Sequence, residues 1–448
     1  MIATRVLERV ERVQAFADLS LHHALSGGSL SVEDRALATE LVYGTLRWRG
    51  RLDFLLSHVL DRRLDRTEPL VASTLRLGAY QIVFSDRIAN ATAVDQSVRC
   101  IRALGVERAA GLVNAALRRL SVEHEKLPVP DLVRDPVGHL VHGLSLPRWI
   151  AERWLALYGA ENAAALATVS NANPPVTLRA NREKNTANEL LEELLPRFPD
   201  AHLGRYSPDA VILGRRGNAA REPAFREGRC SVQDEAAQLV VDLLDPNPGE
   251  SILDCCAAPG SKTTAIAERT GPSSFVLAID RHANRLGLVS RAARRLGLEN
   301  IQTLARDATQ PLGDLPCPPT LAPGFDRVLV DAPCSGLGTL RRHPDARWRV
   351  RPEDLPALRE IQLALLRQCV ETLRPAGILV YSTCTLIPEE NEDVVNELLE
   401  SRKDLRRASL EKIPAALHPL LDDVGDLRCL PHQHGTDGFF AARLERIS

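Results

Sequence analysis

Apolar positions in the first 120 residues recur at steps of three and four, in Ala36, Leu37, Leu41 and Val42 and again in Leu70, Leu75, Leu77 and Tyr80. That is the period of one helix face. Strand-like alternation is absent, so the region is expected to be a string of amphipathic helices. A proline-bearing stretch at 125–136 interrupts the pattern and reads as a connector, which puts a boundary near residue 136. After it come a helical piece at 147–170, a strand-like PPVTLRAN at 174–181, a helix through Glu189 and Leu195, and a short apolar run at 211–213. These predict a small α+β subdomain over residues 137–229.

From about Cys230 short apolar runs alternate with helical stretches: 251–255, 275–279, 327–330 and 377–381. This is the order of a doubly wound parallel α/β sheet, expected over residues 230–448. The runs end in polar or reactive residues, Asp254 and Cys256, Asp280, Asp331 and Cys384. Ligands of such sheets bind outside the carboxyl ends of the strands, so these residues are expected to share one cleft.

At 448 residues, 44% hydrophobic and 25% charged, the chain can bury several cores as an ordinary globular protein. No uncharged apolar run is long enough to span a bilayer, and the expected location is the cytoplasm, as a monomer away from any membrane. Nine scattered cysteines do not look like a disulfide framework and are expected to be reduced thiols. A net charge of −2 supplies no global field for a polyanion, so nucleic-acid contacts must come from local patches. Residues 1–120 hold 17 Arg against 13 Asp and Glu, a net of +4, with clusters at Arg47, Arg49, Arg51 and at Arg118, Arg119. Solvated helix faces explain such clusters as well as RNA contacts do.

In ESILDCCAAPGSKTTAIAE a strand precedes a Pro-Gly turn and a helix follows, so amide N–H groups at the helix start can face an anionic group, and Gly260 permits close approach. The run fits neither the phosphate-loop pattern nor GxGxxG. A nucleotide with one carboxylate and no pyrophosphate suits it better, which points to S-adenosylmethionine. Twenty residues on, SSFVLAID ends in Asp280, at the distance where an acid accepts from ribose hydroxyls, and Asp307 in LARDAT sits where the next strand should end. A lone Asp after a strand is more often a cap; three in register with a glycine turn favour a ligand site. Lys262 is one of five lysines against 51 arginines, as though a compact ammonium were needed there.

Cys334 in VLVDAPCSGLGTLRRHPDARW and Cys384 in LVYSTCTLIPEENE each follow a predicted strand. Buried cysteines usually fill core, but a partly exposed thiol near a helix start would have a lowered pKa and act as a nucleophile. Carbon 5 of cytosine is a poor nucleophile until a thiolate adds to carbon 6. A protonated or hydrogen-bonding carboxyl beside the ring nitrogen at position 3 promotes that addition, and Asp331 is placed for it.

These runs, with LDCCAAPGSKTT and SVQDEAAQLV, resemble the motifs of the bacterial ribosomal RNA small subunit cytosine-5-methyltransferase B family, also called Sun or Fmu. DRALATELVYGTLRWRGRLD, LRLGAYQI and GLVNAALRRL resemble its NusB-like helical RNA-binding domain, expected here over 1–136. The resemblance implies a Rossmann-like domain that uses S-adenosylmethionine, with 16S ribosomal RNA as partner and substrate. It implies that Cys384 is the nucleophile and that Cys334 serves product release, an order that spacing does not fix. The cofactor site it implies comprises Cys256, Ala257, Ala258, Pro259, Gly260, Ser261, Lys262, Asp280, Asp307 and Asp331, with Ser261 standing where the family usually has Gly.

Cys429, His432 and His434 form a C-x2-H-x-H run without a second cluster, so no metal is expected, and the stretch reads as a loop and a final strand. Arg341, Arg342 and His343 offer either RNA phosphate contacts or a solvated surface. Two other readings compete: an RNA-binding assembly factor with a degenerate methyltransferase body, against which the intact Cys334, Cys384 and Asp331 argue, and an exocyclic amino methyltransferase, whose stacking aromatic is replaced here by a cysteine.

Overall fold

The computed structural model describes residues 1–26, 30–61, 63–214, 219–317 and 324–447. The chain forms two compact units, Met1–Ala172 with Leu340–Arg351, and Asn173–Thr339 with Pro352–Ser448. The boundaries expected from sequence, near 136 and 229, each fall inside one of these units. Position 136 lies inside the first unit, where Arg347 ties the end of the helix Arg148–Ser170 to earlier elements. Position 229 lies inside the second, because the strand beginning at Cys230 pairs with Ala180.

The first unit is all helical among its described residues. Its helix Pro69–Phe84 is buried on nearly every face: Leu75 packs with Leu52 and Leu117, Leu77 with Leu7, Val10 and Leu46. Each such leucine contributes about 1.5–3 kcal/mol by leaving water.

Of the two arginine clusters, Arg118 and Arg119 lie exposed on their helix, whereas the other packs into the first unit. Arg47 is buried and donates to Arg341 O at 2.9 Å, while Arg49 binds Glu11 and stacks on Trp348. Arg347, fully buried, donates to Arg47 O, Ser145 O, Ser170 O and Asn171 Oδ1, and burial pushes its pKa down to about 9. Guanidinium forks here satisfy buried backbone carbonyls. Of the RNA-contact candidates, Arg341 is buried, Arg342 half-buried and His343 exposed.

The second unit holds two sheets. The smaller is antiparallel, with strands β1 (Thr177–Ala180), β2 (His202–Leu203), β3 (Ala210–Ile212) and β4 (Cys230–Val232) in the order β2-β3-β1-β4. Its helix Ala187–Leu194 starts at a Thr186/Glu189 capping box. The larger sheet has eight strands: β5 (Ser251–Cys255), β6 (Phe275–Asp280), β7 (Ile301–Ala305), β8 (Phe325–Asp331), β9 (Leu373–Thr383), β10 (Leu405–Arg407), β11 (Leu427–Cys429) and β12 (Phe439–Arg446). The order is β10-β12-β9-β8-β5-β6-β7, with β11 also on β12.

The five strands β5 to β9 are parallel, as expected, but β12 is antiparallel to β9, so the sheet is mixed. The last strand follows β11 through the short turn Pro431–His434 rather than a crossover helix, and a short connection returns the chain antiparallel. Alternation along the parallel strands fills both faces: Leu253, Leu277, Val328 and Leu379 on one, Ile252, Val276, Leu329 and Val380 on the other. Strand order reverses between β5 and β8, the position at which a doubly wound sheet leaves a crevice.

Candidate active site

Register assembles the crevice. Cys255 pairs with Ile279 and with Val330, so the next residues of three strands, Cys256, Asp280 and Asp331, come side by side, and Asp331 pairs in turn with Ser382 on β9. A cavity of about 390 Å³ opens there, lined by Cys256, Ala258, Asp280, Asp307, Asp331, Cys334 and Cys384 of the residues singled out from sequence. That volume suits a nucleotide-sized ligand. Ala257, Pro259 and Gly260, in the turn after β5, and Ser261 and Lys262, at the start of the helix that follows, do not line it.

The turn is held from several sides. Cys256 has φ 61° and Gly260 φ 105°, and the helix Ser261–Thr270 begins directly after. Asp280, buried at the end of β6, accepts from Ala258 N at 3.3 Å and His282 N at 2.8 Å. From β1, fully buried Arg179 donates to Ser261 O at 2.7 Å, to Thr264 Oγ1 and to Glu268. Breaking such a buried pair costs about 3–5 kcal/mol. Asp254 accepts from Thr263 Oγ1 at 2.6 Å, its other oxygen has no partner, and burial pushes its pKa up to about 7. Asp307 lies exposed at the rim, and hydrogen bonds from Thr309 hold its carboxyl below the usual range.

Asp331 is gripped twice: Oδ2 by Lys262 Nζ at 2.7 Å, Oδ1 by Ser382 Oγ at 2.8 Å. The ammonium also sits 5.1 Å from the centre of the Phe439 ring, where the face of the ring favours a cation. Lys262 thus touches the cavity through Asp331.

The sulfurs of Cys334 and Cys384 lie 3.4 Å apart, both half-buried. The expected lowering of thiol pKa does not hold for Cys334. Its hydrogen bond with Cys384 comes first, then burial, and together they push it well above the ordinary range. No helix starts at Cys334; a loop through Gly338 follows it, and Gly338 N donates to Cys384 O at 2.9 Å. Cys429 is buried in β11, and His432 and His434 occupy the turn after it.

Several cavity residues escaped the sequence reading. Leu358, Ile361 and Leu365 form an apolar wall from the helix Leu355–Glu371, and three- and four-residue steps of this kind look the same in sequence whether the face meets core or a cavity. Arg285 lines the rim and donates to Ala258 O at 2.9 Å. Nothing linear separated it from the other arginines of its helix.

The family model for 16S rRNA methyltransferase RsmB/F matches residues 241–445, that of the NusB family residues 1–121, and that of an RsmF/B-like ferredoxin-like domain residues 146–220. The probable ribosomal RNA small subunit methyltransferase B of Bacillus subtilis is 36% identical over 99% of this chain and 98% of its own. The ribosomal RNA small subunit methyltransferase B of Pseudomonas putida is 35% identical over 100% and 98%. A solved methyltransferase homologue from Pyrococcus horikoshii superposes with TM-score 0.59 at 29% identity, covering 70% of this chain and 99% of that one.

Proposed function

Because this chain belongs to the 16S rRNA methyltransferase RsmB/F family, and so is an S-adenosylmethionine-dependent methyltransferase acting on ribosomal RNA, we propose that it methylates carbon 5 of a cytosine in 16S RNA through a covalent cysteine adduct. The observation that carries this reading is the pair of thiols 3.4 Å apart on the wall of the cofactor-sized cavity, beside Asp331. A cavity with acids on one side and Leu358, Ile361 and Leu365 on the other fits a nucleoside with amine and hydroxyl donors. Asp280 and Asp307 would hold those donors, and the leucine and isoleucine side chains would cover the base. S-adenosylmethionine supplies the methyl group.

The chain's own part is to activate the cytosine ring and release it. Cys384 attacks carbon 6, and its proton passes towards ring nitrogen 3 with the help of Asp331, which Lys262 and Ser382 hold in place. Cys334, kept as a thiol, is a poor competing nucleophile. After methylation, the Cys334 proton goes to the departing Cys384 sulfur. The carbon–sulfur bond breaks as the carbon 5 proton leaves to the resulting Cys334 thiolate, both thiols are restored, and the proton on ring nitrogen 3 returns by way of Asp331 to solvent, the one proton released per methyl transferred. The target base must leave its stack to meet these sulfurs, so a loop or locally opened helix is the substrate. We assign the RNA-binding role to the NusB-like residues 1–136, with 137–229 as a linking subdomain, and read the protein as a cytoplasmic monomer. Among the described residues no helix is long and apolar enough to cross a membrane.

The test incubates wild type, Cys384→Ala and Cys334→Ala with radiolabelled S-adenosylmethionine and unmodified 16S RNA, then resolves methylated RNA and protein–RNA adducts on a denaturing gel. The expected pattern is an accumulated adduct in Cys334→Ala and neither product nor adduct in Cys384→Ala. The reverse pattern exchanges the two roles. Methyl transfer surviving both changes ends the covalent reading, and tight RNA binding without transfer in wild type ends the enzymatic one.

A further inference from the structure

Glu390 is fully buried, on the turn Pro388–Glu390 that follows Cys384. A carboxylate taken out of water must find donors to offset its lost hydration. Those of Glu390 come from other segments: Oε1 accepts from Ser335 N at 2.9 Å and from Gln362 Nε2 at 3.0 Å, and Oε2 accepts from Ser335 Oγ at 2.5 Å. Gln362 Nε2 also donates to Pro333 O at 3.0 Å. The residues on both sides of Cys334 are therefore held by one buried pair.

Asn391, directly after that turn, and Ser335 hold both neighbours of Cys384. Ser335 Oγ and Thr385 Oγ1 lie 2.7 Å apart, Thr383 Oγ1 hydrogen-bonds Asn391 Oδ1 at 2.5 Å, and Asn391 Nδ2 donates to Thr385 O at 3.2 Å. Tyr381 OH closes the circuit by donating to Glu390 O at 2.6 Å. Apart from Pro333, every residue of this network is buried, whereas the two cysteines it flanks reach the cavity.

We propose that Glu390 is the positioning residue of the cysteine pair: through Ser335, its carboxylate locks the Cys334 and Cys384 loops in one register and so sets the separation of the two sulfurs. The assignment rests on the covalent reading above for its role in turnover. Glu390 acts through Ser335 and Gln362, not on the RNA. Its buried charge also contributes to holding Cys334 in the thiol form. Because reacting groups displaced by about 1 Å can lose about 100-fold in rate, a register lock of this kind is a kinetic device.

The geometry is tested without relying on catalysis. Full-length wild type, Glu390→Gln, Glu390→Ala and Ser335→Ala are treated with phenylarsine oxide, whose trivalent arsenic joins two neighbouring thiols with loss of one water and no change of oxidation state. Bridged Cys334–Cys384 peptides are counted by mass spectrometry. Cys255 and Cys369, 3.0 Å apart in the core, report unfolding if they too are captured. Single-turnover methyl transfer and the cofactor Kd are measured on the same preparations.

Glu390→Ala is expected to lower capture about tenfold and methyl transfer about 100-fold, with the cofactor Kd within about twofold. Glu390→Gln, which keeps an acceptor for Ser335 N, restores most of both, and Ser335→Ala falls between. Wild-type capture in folded Glu390→Ala overturns the proposal whatever its activity. Should that variant unfold, unchanged capture and transfer in Ser335→Ala overturn it instead. Lost capture in a protein whose wild type methylates without any Cys384 adduct upholds the positioning role and removes the covalent reading.

Discussion

The glycine turn after β5 and the cysteine pair meet at one cavity but are held in different ways. The turn is continuous in the chain: β5, residues 256–260 and the helix Ser261–Thr270 follow one another, backbone conformation with φ 61° at Cys256 and 105° at Gly260 bends it, and Asp280, Arg179 and Arg285 brace it from outside. The cysteine pair joins loops after two different strands, and buried side chains of Ser335, Gln362, Thr385 and Glu390 hold them together. A contiguous turn depends on local φ/ψ. A discontinuous pair depends on a network in which each hydrogen bond presupposes the others.

The sharpest way to separate the two is a change that touches one alone. A Cβ on Gly338 would lie 2.1 Å from Gly438 O and 2.9 Å from Cys384 O, both backbone atoms, so the loops must move. Gly338→Ala is expected to cut methyl transfer at saturating cofactor about 100-fold while the cofactor Kd, by calorimetry, stays within about twofold. A parallel loss of affinity would show that the turn and the pair are one mechanical unit.

The converse change is smaller. Gly260→Ala places a side chain at φ 105° and 3.0 Å from Val289 Cα, a strain of about 1–3 kcal/mol. Cofactor binding should weaken about tenfold, with the saturated rate of transfer nearly kept. A fall in that saturated rate with unchanged Kd would reverse the roles given to the two regions.

A change under the turn acts on stability and leaves the cysteine pair alone. Asp254 has its pKa raised by burial to about 7, against 3.8 for the ordinary carboxyl. Between those values the folded state binds more protons than the unfolded, so this group's contribution is fully present below about pH 4 and is lost as pH rises through 7. The loss is at most about 4 kcal/mol. Asp254→Asn should therefore gain stability relative to wild type between pH 5 and pH 8 in urea denaturation. Identical pH slopes in the two proteins would assign the effect elsewhere.

The parallel strands β5, β6, β8 and β9 were legible because fully buried strands leave short apolar runs between helical periods. Asp280, Asp331 and Cys384 were legible as ends of those runs. The antiparallel insertion of β12 was not, since a strand's direction is set by the connection that precedes it. The buried fate of Arg47 and Arg341 was hidden too, because a buried guanidinium has the same letters as one in solvent.

Sequence by itself determined the elements that need only neighbours along the chain: the helical repeat of the first 120 residues, the glycine turn with its helix, and the acids and thiols that close each strand. Tertiary structure alone decided which of those ends meet. Cys334 and Cys384 are 50 positions apart, and their contact exists because β8 and β9 pair in one register. Of the acids in the run PEENE, Glu389, Glu390 and Glu392, only Glu390 is fully buried. Desolvation and long-range hydrogen bonds depend on what the folded chain places around a group, and that has no signature in the order of residues.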